Sequence, residues 1–419
     1  MIKNDFPILT NSKAEDYGFD LQKLQLVDQQ INADITAGFP GAGLIIIKDN
    51  HIIKHDVYGY KRKYDDNGNL LPEFNLLELN TLFDLASNSK MYATNYAIMR
   101  LVFEGKIKLD APIKTYLPEY TGCDNNGQSR DERKVINLLY HDAGYEADPQ
   151  FFNPAAIGAE FYSQDSTYTK QLILTKLPFQ RPQGGAPLYS DVDFILLGMI
   201  VESVTQQALD QYVESAFYRP LELSNTVFNP LRKGFKASDC AATEINGNTR
   251  GATVVFPNIR TQTIQGEVHD EKAYYSLDGV SGHAGLFSTL VDMAVLAQIM
   301  LNQGSYAGHQ FWNAQVQDQF TSANSFDPSY GLGWRRAGDP ASRALKWFSP
   351  YASKQAIGHT GWTGTMTVID PKYNLAIILL TNKRHSPFVN GRFEGDSLAT
   401  GNYTKITTLI YQALNSLGD

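Results

Sequence analysis

The strand-like runs of this chain stand near its two ends, which restricts the folds open to it more than any other feature. Near the start, "AGLIIIKDNHIIKHDVYGY" (42–60) sets two β-branched runs around an Asp-Asn turn, the pattern of a hairpin. Near the end, "TGTMTVID" and "LAIILLTN" are strand-like runs on either side of "PKYN" (371–374). From 91 to 230 most periodic segments read as helical, among them "VDFILLGMIVESVTQQALDQYVESAF". Short strands must pair to persist, so the two ends are expected to share one sheet, with the helical middle carried as an insertion. Two further helices are predicted to flank that sheet. "DLQKLQLVDQQINADITAG" (20–38) has Leu21, Leu24, Val27 and Ile31 at helical spacing and stops at Gly38, and "YTKITTLIYQALNSL" (403–417) is amphipathic. Residues 61–79, "KRKYDDNGNLLPEFNLLEL", read as a polar excursion. The expected fold class is α+β, with an antiparallel sheet from both chain ends flanked by helices and an inserted helical lobe.

No internal repeat and no long Ser/Gly/Pro linker divides the chain. One domain is expected over 18–417, with an α/β lobe at about 18–65 and 275–417 and a mainly helical lobe at about 80–250. With 419 residues and 43% hydrophobic composition, a sizeable core is assured. A net charge of -8 lacks the basic footprint of a nucleic-acid partner. Cys123 and Cys240 form neither a C-x-x-C pair nor a His/Cys cluster, so no disulfide framework or zinc site is signalled, and two buried thiols are expected. The opening "MIKNDFPILTNSKAEDYG" has no apolar signal core, and no run approaches the ~18 apolar residues of a membrane span. The expected compartment is cytoplasmic, or extracellular if a leader was removed.

Chemistry is first suggested by "LFDLASNSKMYATNYAIMRLVFEGK" (82–106), which holds the chain's single S-x-x-K. Residues i and i+3 share a helix face, so a helix beginning near Ser87 lays the Lys90 ammonium over the hydroxyl. The unpaired N–H groups of a first turn and the positive end of the helix dipole favour a developing oxyanion and disfavour a charged lysine. A lysine with a depressed pKa can then act as base for a nucleophilic serine. The competing reading is a helix-capping serine and a solvated lysine. Further on, "PLYSDVDFILLG" places Tyr189, Ser190 and Asp191 in a loop ahead of an apolar helix. "IGHTGWTGTMTVID" places His359, Thr360 and Gly361 at the start of a strand. Junctions of this kind can aim a phenol, a carboxylate and an imidazole into one cleft.

This order, S-x-x-K, then Y-S-D, then H-T-G on a late strand, resembles the serine β-lactamase and penicillin-binding protein family, in its class C-like branch. The resemblance runs over roughly 35–410 and includes "LDAPIKTYLPEY", "INLLYHDAGY", "VHDEKAYYSLDGVSGHAGLFSTLVDMAVLAQIML" and "YGLGW". It is nearest to the D-Ala-D-Ala carboxypeptidases of the penicillin-binding protein 4B type, which share the Y-S-D and H-T-G variants. The resemblance implies Ser87 as nucleophile, Lys90 as its proton acceptor or relay, and Tyr189 as the group that exchanges a proton with Ser87 and then with the leaving group. It places Asp191, His359, Thr360, Gly361 and Trp362 around the substrate, with the Ser87 and Trp362 N–H groups as an oxyanion hole. Acyl transfer through an acyl-enzyme follows, with no metal or organic cofactor. The implied partner is a small molecule: a D-Ala-terminated peptide, an amide or an ester.

Two departures from the family pattern bear on substrate. Asp191 stands where an asparagine is common, and a carboxylate cannot donate to a substrate carbonyl; pairing with Lys90 is an alternative. His359 replaces a lysine, so its grip on a substrate carboxylate is expected to be weaker and to strengthen as pH falls through the imidazole range. The leading expectation is a DD-peptidase-like serine hydrolase with weak or no β-lactamase activity. The alternatives are a carboxylesterase on the same scaffold and an idle penicillin-recognising or sensor protein.

Other motifs carry less. "GDSL" (395–398) lacks the downstream histidine of its lipase namesake and reads as a surface turn, and "GVSGH" (279–283) misses the nucleophile-elbow pattern. His51 and His55 read as strand histidines, Tyr58 and Tyr60 as sheet residues, and His269 and Asp270 as holding a loop beside the cleft.

Overall fold

The computed structural model describes residues 8–414; the opening heptapeptide, the last three positions of the helix expected over 403–417 and the matching end of the expected domain lie outside the described residues. Strands β1 (Thr10–Asn11), β2 (Gly41–Lys48), β3 (His51–Tyr64), β4 (Leu70–Leu76), β5 (Arg335–Arg336), β6 (Ile357–Thr360), β7 (Thr365–Asp370) and β8 (Leu375–Thr381) form one eight-stranded sheet. Its order is β1-β3-β2-β8-β7-β6-β5, with β4 beside β3. The two chain ends meet at its centre, where Leu44 pairs with Leu379 and Ile46 with Ile377. The β2–β3 turn is the Asp-Asn pair, both left-handed at φ 49° and 64°, as a two-residue hairpin turn requires.

Two expectations about the sheet need correction. It is not wholly antiparallel, because β1 runs parallel to β3, with Thr10 opposite His51. The chain between them contains a helix and β2, long enough to return in the same direction. Nor is 61–79 an excursion. β3 continues to Tyr64, and β4 returns after a turn in which the Asp65 carboxylate accepts the N–H groups of Asn67 and Asn69, each at 2.9 Å. Its charged residues are polar because they pair at the surface, as Lys61 does with Glu78 and Arg62 with Asp66.

The helices used below are α1 (Leu21–Thr36), α2 (Tyr96–Phe103), α3 (Asp191–Thr205), α4 (Glu271–Ser276), α5 (Leu290–Leu301) and α6 (Thr404–Ala413). Both faces of the central strands are buried, which explains why they read as continuous apolar runs. Leu44, Ile46, Ile377 and Leu379 pack against α1 and α6, while Ile45, Ile47, Ile378 and Leu380 face the helical region around α2, α3 and α5. In α1 the buried stripe is Leu24, Val27 and Ile31; Leu21, in the first turn, remains exposed. Of the two cysteines only Cys240 is buried. Cys123 is exposed, on an isolated β-bridge to Ser129, rather than hidden, and both are free thiols.

Candidate active site

Ser87 sits on a sharp turn between the short strand Phe83–Asp84 and the helical run that becomes α2. The buried Asp84 carboxylate accepts the Ala86 N–H at 2.8 Å and the His269 N–H at 2.7 Å. Ala86 is thereby held at φ 46°, a left-handed conformation unfavourable for alanine. From the other side β7 clamps the turn. The Thr365 hydroxyl donates to the Leu85 carbonyl (2.9 Å) and accepts from the Asn88 amide (3.0 Å), and the Thr363 hydroxyl donates to the Asp84 carbonyl (2.7 Å). Gly361 passes so close to this turn that a Cβ there would collide with the Thr365 hydroxyl and the Leu85 carbonyl, so the glycine is a packing necessity. The nucleophile candidate and the H-T-G segment are thus one rigid unit. Neither the Ser87 N–H nor the Trp362 N–H donates to another group among the described residues.

Immediately after Ser87 the helix is wound in the wider π form over Lys90–Asn95 before tightening into α2. Such windings are rare and gather at functional sites. Lys90 is fully buried, and its ammonium donates to Ser87 Oγ (3.0 Å), to the His283 carbonyl (3.0 Å) and to Asp191 Oδ1 (2.8 Å). All three of its hydrogens are therefore used. Burial pushes the ammonium pKa down, but the Asp191 carboxylate and the Tyr189 hydroxyl outweigh burial and raise it. The expectation of a depressed lysine is overturned, while the alternative that Asp191 pairs with Lys90 is met: the carboxylate 2.8 Å away outweighs the helix N-terminus.

Asp191 opens α3, with Ser190 as the cap whose hydroxyl accepts the Val192 N–H at 3.2 Å. Its second oxygen meets Lys272 Nζ at 3.1 Å, so one carboxylate bridges two ammoniums. Burial pushes Asp191 up, but Lys90 and Lys272 together hold it well below the usual carboxylate range. Lys272 also contacts Asp148 and, at 3.5 Å, Asp270. Asp270 caps α4 by accepting the Ala273 N–H at 2.9 Å, and its Oδ1 lies 2.9 Å from His283 Nε2. Asp191, Asp270 and His283 are near enough to one another for a shared cation, yet their inner atoms already answer the Lys272 and Lys90 ammoniums and each other. A metal would have to displace an ammonium.

On the opposite side of Tyr189 the polar groups are uncharged. The Tyr189 ring lies 5.0 Å from the Lys90 ammonium and stacks on His141 at 4.5 Å. His141 Nδ1 meets Asp193 Oδ2 at 2.9 Å, both fully buried. Burial and the Lys90 charge hold this imidazole well below its usual range, while burial and the negative charges of Asp142 and Asp191 push the Asp193 carboxyl well up. Both shifts disfavour a charged His141–Asp193 pair. His359 is buried at 3% exposure, and its Nδ1–H donates to the Thr360 carbonyl at 2.8 Å. Burial and the nearby Lys90 charge hold it down at about 3. The expectation that its charge would grip a carboxylate at mildly acid pH is therefore corrected.

Ser87, Tyr189, Asp191 and Trp362 line one cavity of about 380 Å³ together with Asp148, Gln150, Phe152, Arg250, Val254, His269, Asp270, Glu271, Lys272 and Ala284. His359, Thr360 and Gly361 are not among its lining residues, though the His359 ring lies 6.0 Å from that of Tyr189. His269 and Asp270 do border the cleft; His269 Nε2 lies 2.7 Å from Glu244. Sequence reasoning missed Lys272, Arg250 and His141. The "HDEKAYY" segment offered a charged cluster ahead of a short helix, but nothing in its spacing indicated that Lys272 would reach Asp191. His51 and His55 lie on β3, away from the site.

A serine under an ammonium, beside a phenol and two undonated N–H groups, defines an acyl-transfer serine hydrolase. The family model for Beta-lactamase matches residues 25–399, and the chain belongs to that family. It is 48% identical over 410 residues to a Bacillus subtilis (strain 168) protein named N-acetylmuramyl-L-alanine amidase, covering 96% of this chain and 91% of that one. It is 46% identical over 416 residues to an Escherichia coli (strain K12) protein named "Putative D-alanyl-D-alanine carboxypeptidase", covering 98% and 94%. Among solved structures, the fold is shared with the hydrolase EstCE1, described as having promiscuous acyltransferase activity (TM-score 0.68, 20% identity, 91% of this chain and 98% of that one). It is also shared with a penicillin-binding protein homologue from Caulobacter crescentus (TM-score 0.63, 20% identity, 94% and 97%). The protein is a serine hydrolase related to the β-lactamases and penicillin-binding proteins, in keeping with the resemblance of its motifs.

Proposed function

We propose that this hydrolase cleaves the amide between an N-acetylmuramyl group and L-alanine through an acyl-enzyme on Ser87. Because Lys90 has no lone pair in its resting state, it holds the Ser87 oxygen in place and supplies positive charge, and proton exchange passes to Tyr189. Ser87 Oγ attacks the muramyl carbonyl carbon while its proton moves to Tyr189, which enters the cycle as a phenolate beside the Lys90 ammonium, and the Ser87 and Trp362 N–H groups receive the oxyanion. The C–N bond breaks as Tyr189 returns that proton to the alanine nitrogen. Water then adds to the Ser87 ester, again through Tyr189, and the muramyl carboxylate leaves.

The observation that carries this choice of amide is the absence of a free positive charge among the described residues lining the cavity. Arg250 is paired with Glu271, Lys272 with Asp148 and Asp191, and His359, held neutral, is not among the lining residues. A D-Ala-D-Ala substrate carries a carboxylate next to its scissile amide, whereas a muramyl–L-alanine amide within a peptide carries none there. The same argument leaves β-lactams poorly held and simple esters acceptable. The D-Ala carboxypeptidase reading has one observation of its own. Arg335 on β5 has charge influence at His359, stacks on Tyr330 at 3.8 Å and forms no ion pair among the described residues.

The test is cleavage of N-acetylmuramyl-L-alanyl-D-isoglutamine against diacetyl-Lys-D-Ala-D-Ala by wild type, Ser87→Ala and Arg335→Gln. Turnover of the muramyl substrate, its loss by ~10³- to 10⁶-fold in Ser87→Ala, and indifference to Arg335→Gln are expected. Preference for the D-Ala peptide, lost in Arg335→Gln, would transfer the assignment to the carboxypeptidase.

A further inference from the structure

Trp362 is unusual among the tryptophans. Trp312 and Trp334 are fully buried, but Trp362 is 50% exposed and faces the cavity of Ser87. A half-exposed aromatic ring at a reaction centre presents a flat apolar face on which a ligand can stack. It is nonetheless not loose. The Arg384 guanidinium lies 3.9 Å behind the ring, and Arg384 Nε donates to the Trp362 carbonyl at 2.8 Å. Arg384 is fixed by Asp396, which also meets Lys383 Nζ at 3.2 Å, and it rests on the Phe393 ring at 4.9 Å. Asp396 is the aspartate of the "GDSL" stretch, which therefore has a place in the site although it lacks the chemistry its name suggests. One planar cation grips both ends of the residue, backbone and ring. It covers one indole face and leaves the other to the cavity.

Trp362 also offers its N–H to the scissile carbonyl in the reading above, so its indole lies within one residue of the reacting bond. The cavity around it is lined by Asp148, Asp191, Asp270 and Glu271 as well as Arg250 and Lys272, all engaged with one another. Such a wall suits an uncharged group with one apolar face and hydroxyls at its edge.

We propose that the free face of Trp362, pinned by Arg384 and Asp396, is the stacking platform for the pyranose ring on the acyl side of the substrate. The inference rests on the muramyl reading and adds to it the residue that recognises the sugar. Arg384 and Asp396 are positioning residues; neither touches the substrate.

The experiment compares two substrates with the same scissile bond, N-acetylmuramyl-L-alanyl-D-isoglutamine and D-lactyl-L-alanyl-D-isoglutamine, which lacks the sugar. The readout is the ratio of their kcat/KM values, from which any general effect on the Trp362 turn cancels. Wild type should favour the sugar-bearing substrate. Trp362→Leu should cut that ratio by about tenfold, mainly through KM; Trp362→Phe should restore part of it, and Arg384→Lys should fall between. A ratio unchanged in Trp362→Leu overturns the platform. Binding of N-acetylmuramic acid to Ser87→Ala, read as a fluorescence change absent from Ser87→Ala/Trp362→Leu, separates the two ideas. Binding through Trp362 without cleavage of muramyl peptides by wild type would sink the amidase reading and keep the platform. Cleavage by wild type without that signal would do the reverse.

Discussion

Tyr189 stands between two buried walls that handle ionisable groups in opposite ways. On one side Lys90, Asp191, Lys272, Asp270 and His283 form a chain of contacts at 2.8–3.5 Å in which each ammonium is matched by a carboxylate. On the other, His141, Asp193 and His359 are more deeply buried than Asp191 and Asp270, and each is shifted toward its neutral form. Asp191 and Asp270 keep 14% and 20% exposure and face ammoniums, whereas His141 and Asp193 are paired only with each other in a drier wall, so charge persists on the first side and is disfavoured on the second. The Lys90 charge helps to do both, because it stabilises Asp191 and disfavours a proton on His141 and His359. A site built this way keeps a positive charge under the nucleophile without offering one to the substrate.

The largest effect is expected at the boundary itself. If proton exchange belongs to Tyr189, Tyr189→Phe should lower kcat by ~10²- to 10⁴-fold. Thermal unfolding should hardly move, since the ring and its stacking on His141 are kept. A rate within a few-fold of wild type would return the base role to Lys90 and erase the functional difference between the walls.

Breaking the paired wall is the next test. Asp191→Ala leaves two ammoniums facing each other without their shared carboxylate, and removing one partner of a buried pair typically costs ~3–5 kcal/mol. Urea unfolding should show a loss in that range, smaller for Asp191→Asn, which keeps an acceptor oxygen. Equal stability of wild type and Asp191→Ala would mean that the wall is not electrostatically coupled.

The neutral wall should reveal itself in acid. His359 stays unprotonated in the folded protein down to about pH 3, whereas in the unfolded chain it takes a proton near the ordinary imidazole value of about 6.5. The unfolded state binds more protons in that window, so the contribution of His359 to stability is complete above pH 6.5 and is lost progressively as pH falls toward 3. The slope is at most about 1.4 kcal/mol per pH unit for one histidine. His359→Gln should flatten the fall of melting temperature between pH 6.5 and 4; an unchanged curve would show that His359 charges freely. The smallest effect is a null. Between pH 5.5 and 8.5 the ratio of kcat/KM for an ester to that for a D-Ala peptide should stay within about twofold, because no histidine of this wall changes charge there.

What the sequence disclosed follows from the range of the interactions concerned. Ser87 and Lys90 were legible because three residues on a helix are neighbours by geometry, and the hairpin at Asp49-Asn50 because its turn needs left-handed residues. The strands at both ends were legible as apolar runs. The Lys90–Asp191 pair, offered from the sequence only as an alternative, is present, but its effect on the charge of Lys90 was not legible, since it depends on how closely α3 brings Asp191 from about a hundred residues away. Lys272 and His283 were invisible for the same reason. His359 was read as a titrating group because its residue type was known and its burial was not.

The sheet that joins the two ends of the chain also governs how the protein is made. β2 and β3 leave the ribosome early, but their central partner β8 follows roughly 300 residues later, which at ~5–20 residues per second is a wait on the order of 15 to 60 s. During that time the edge of β2 carries Leu44 through Ile47 without its neighbour, an open template for another chain. The Ser87 turn is in turn held by Thr363 and Thr365, which arrive with β7. Phosphonylation of Ser87 by a serine-reactive fluorophosphonate during synthesis should therefore appear only once the last strands are out, so a chain interrupted before β7 is expected to be both sticky and chemically silent.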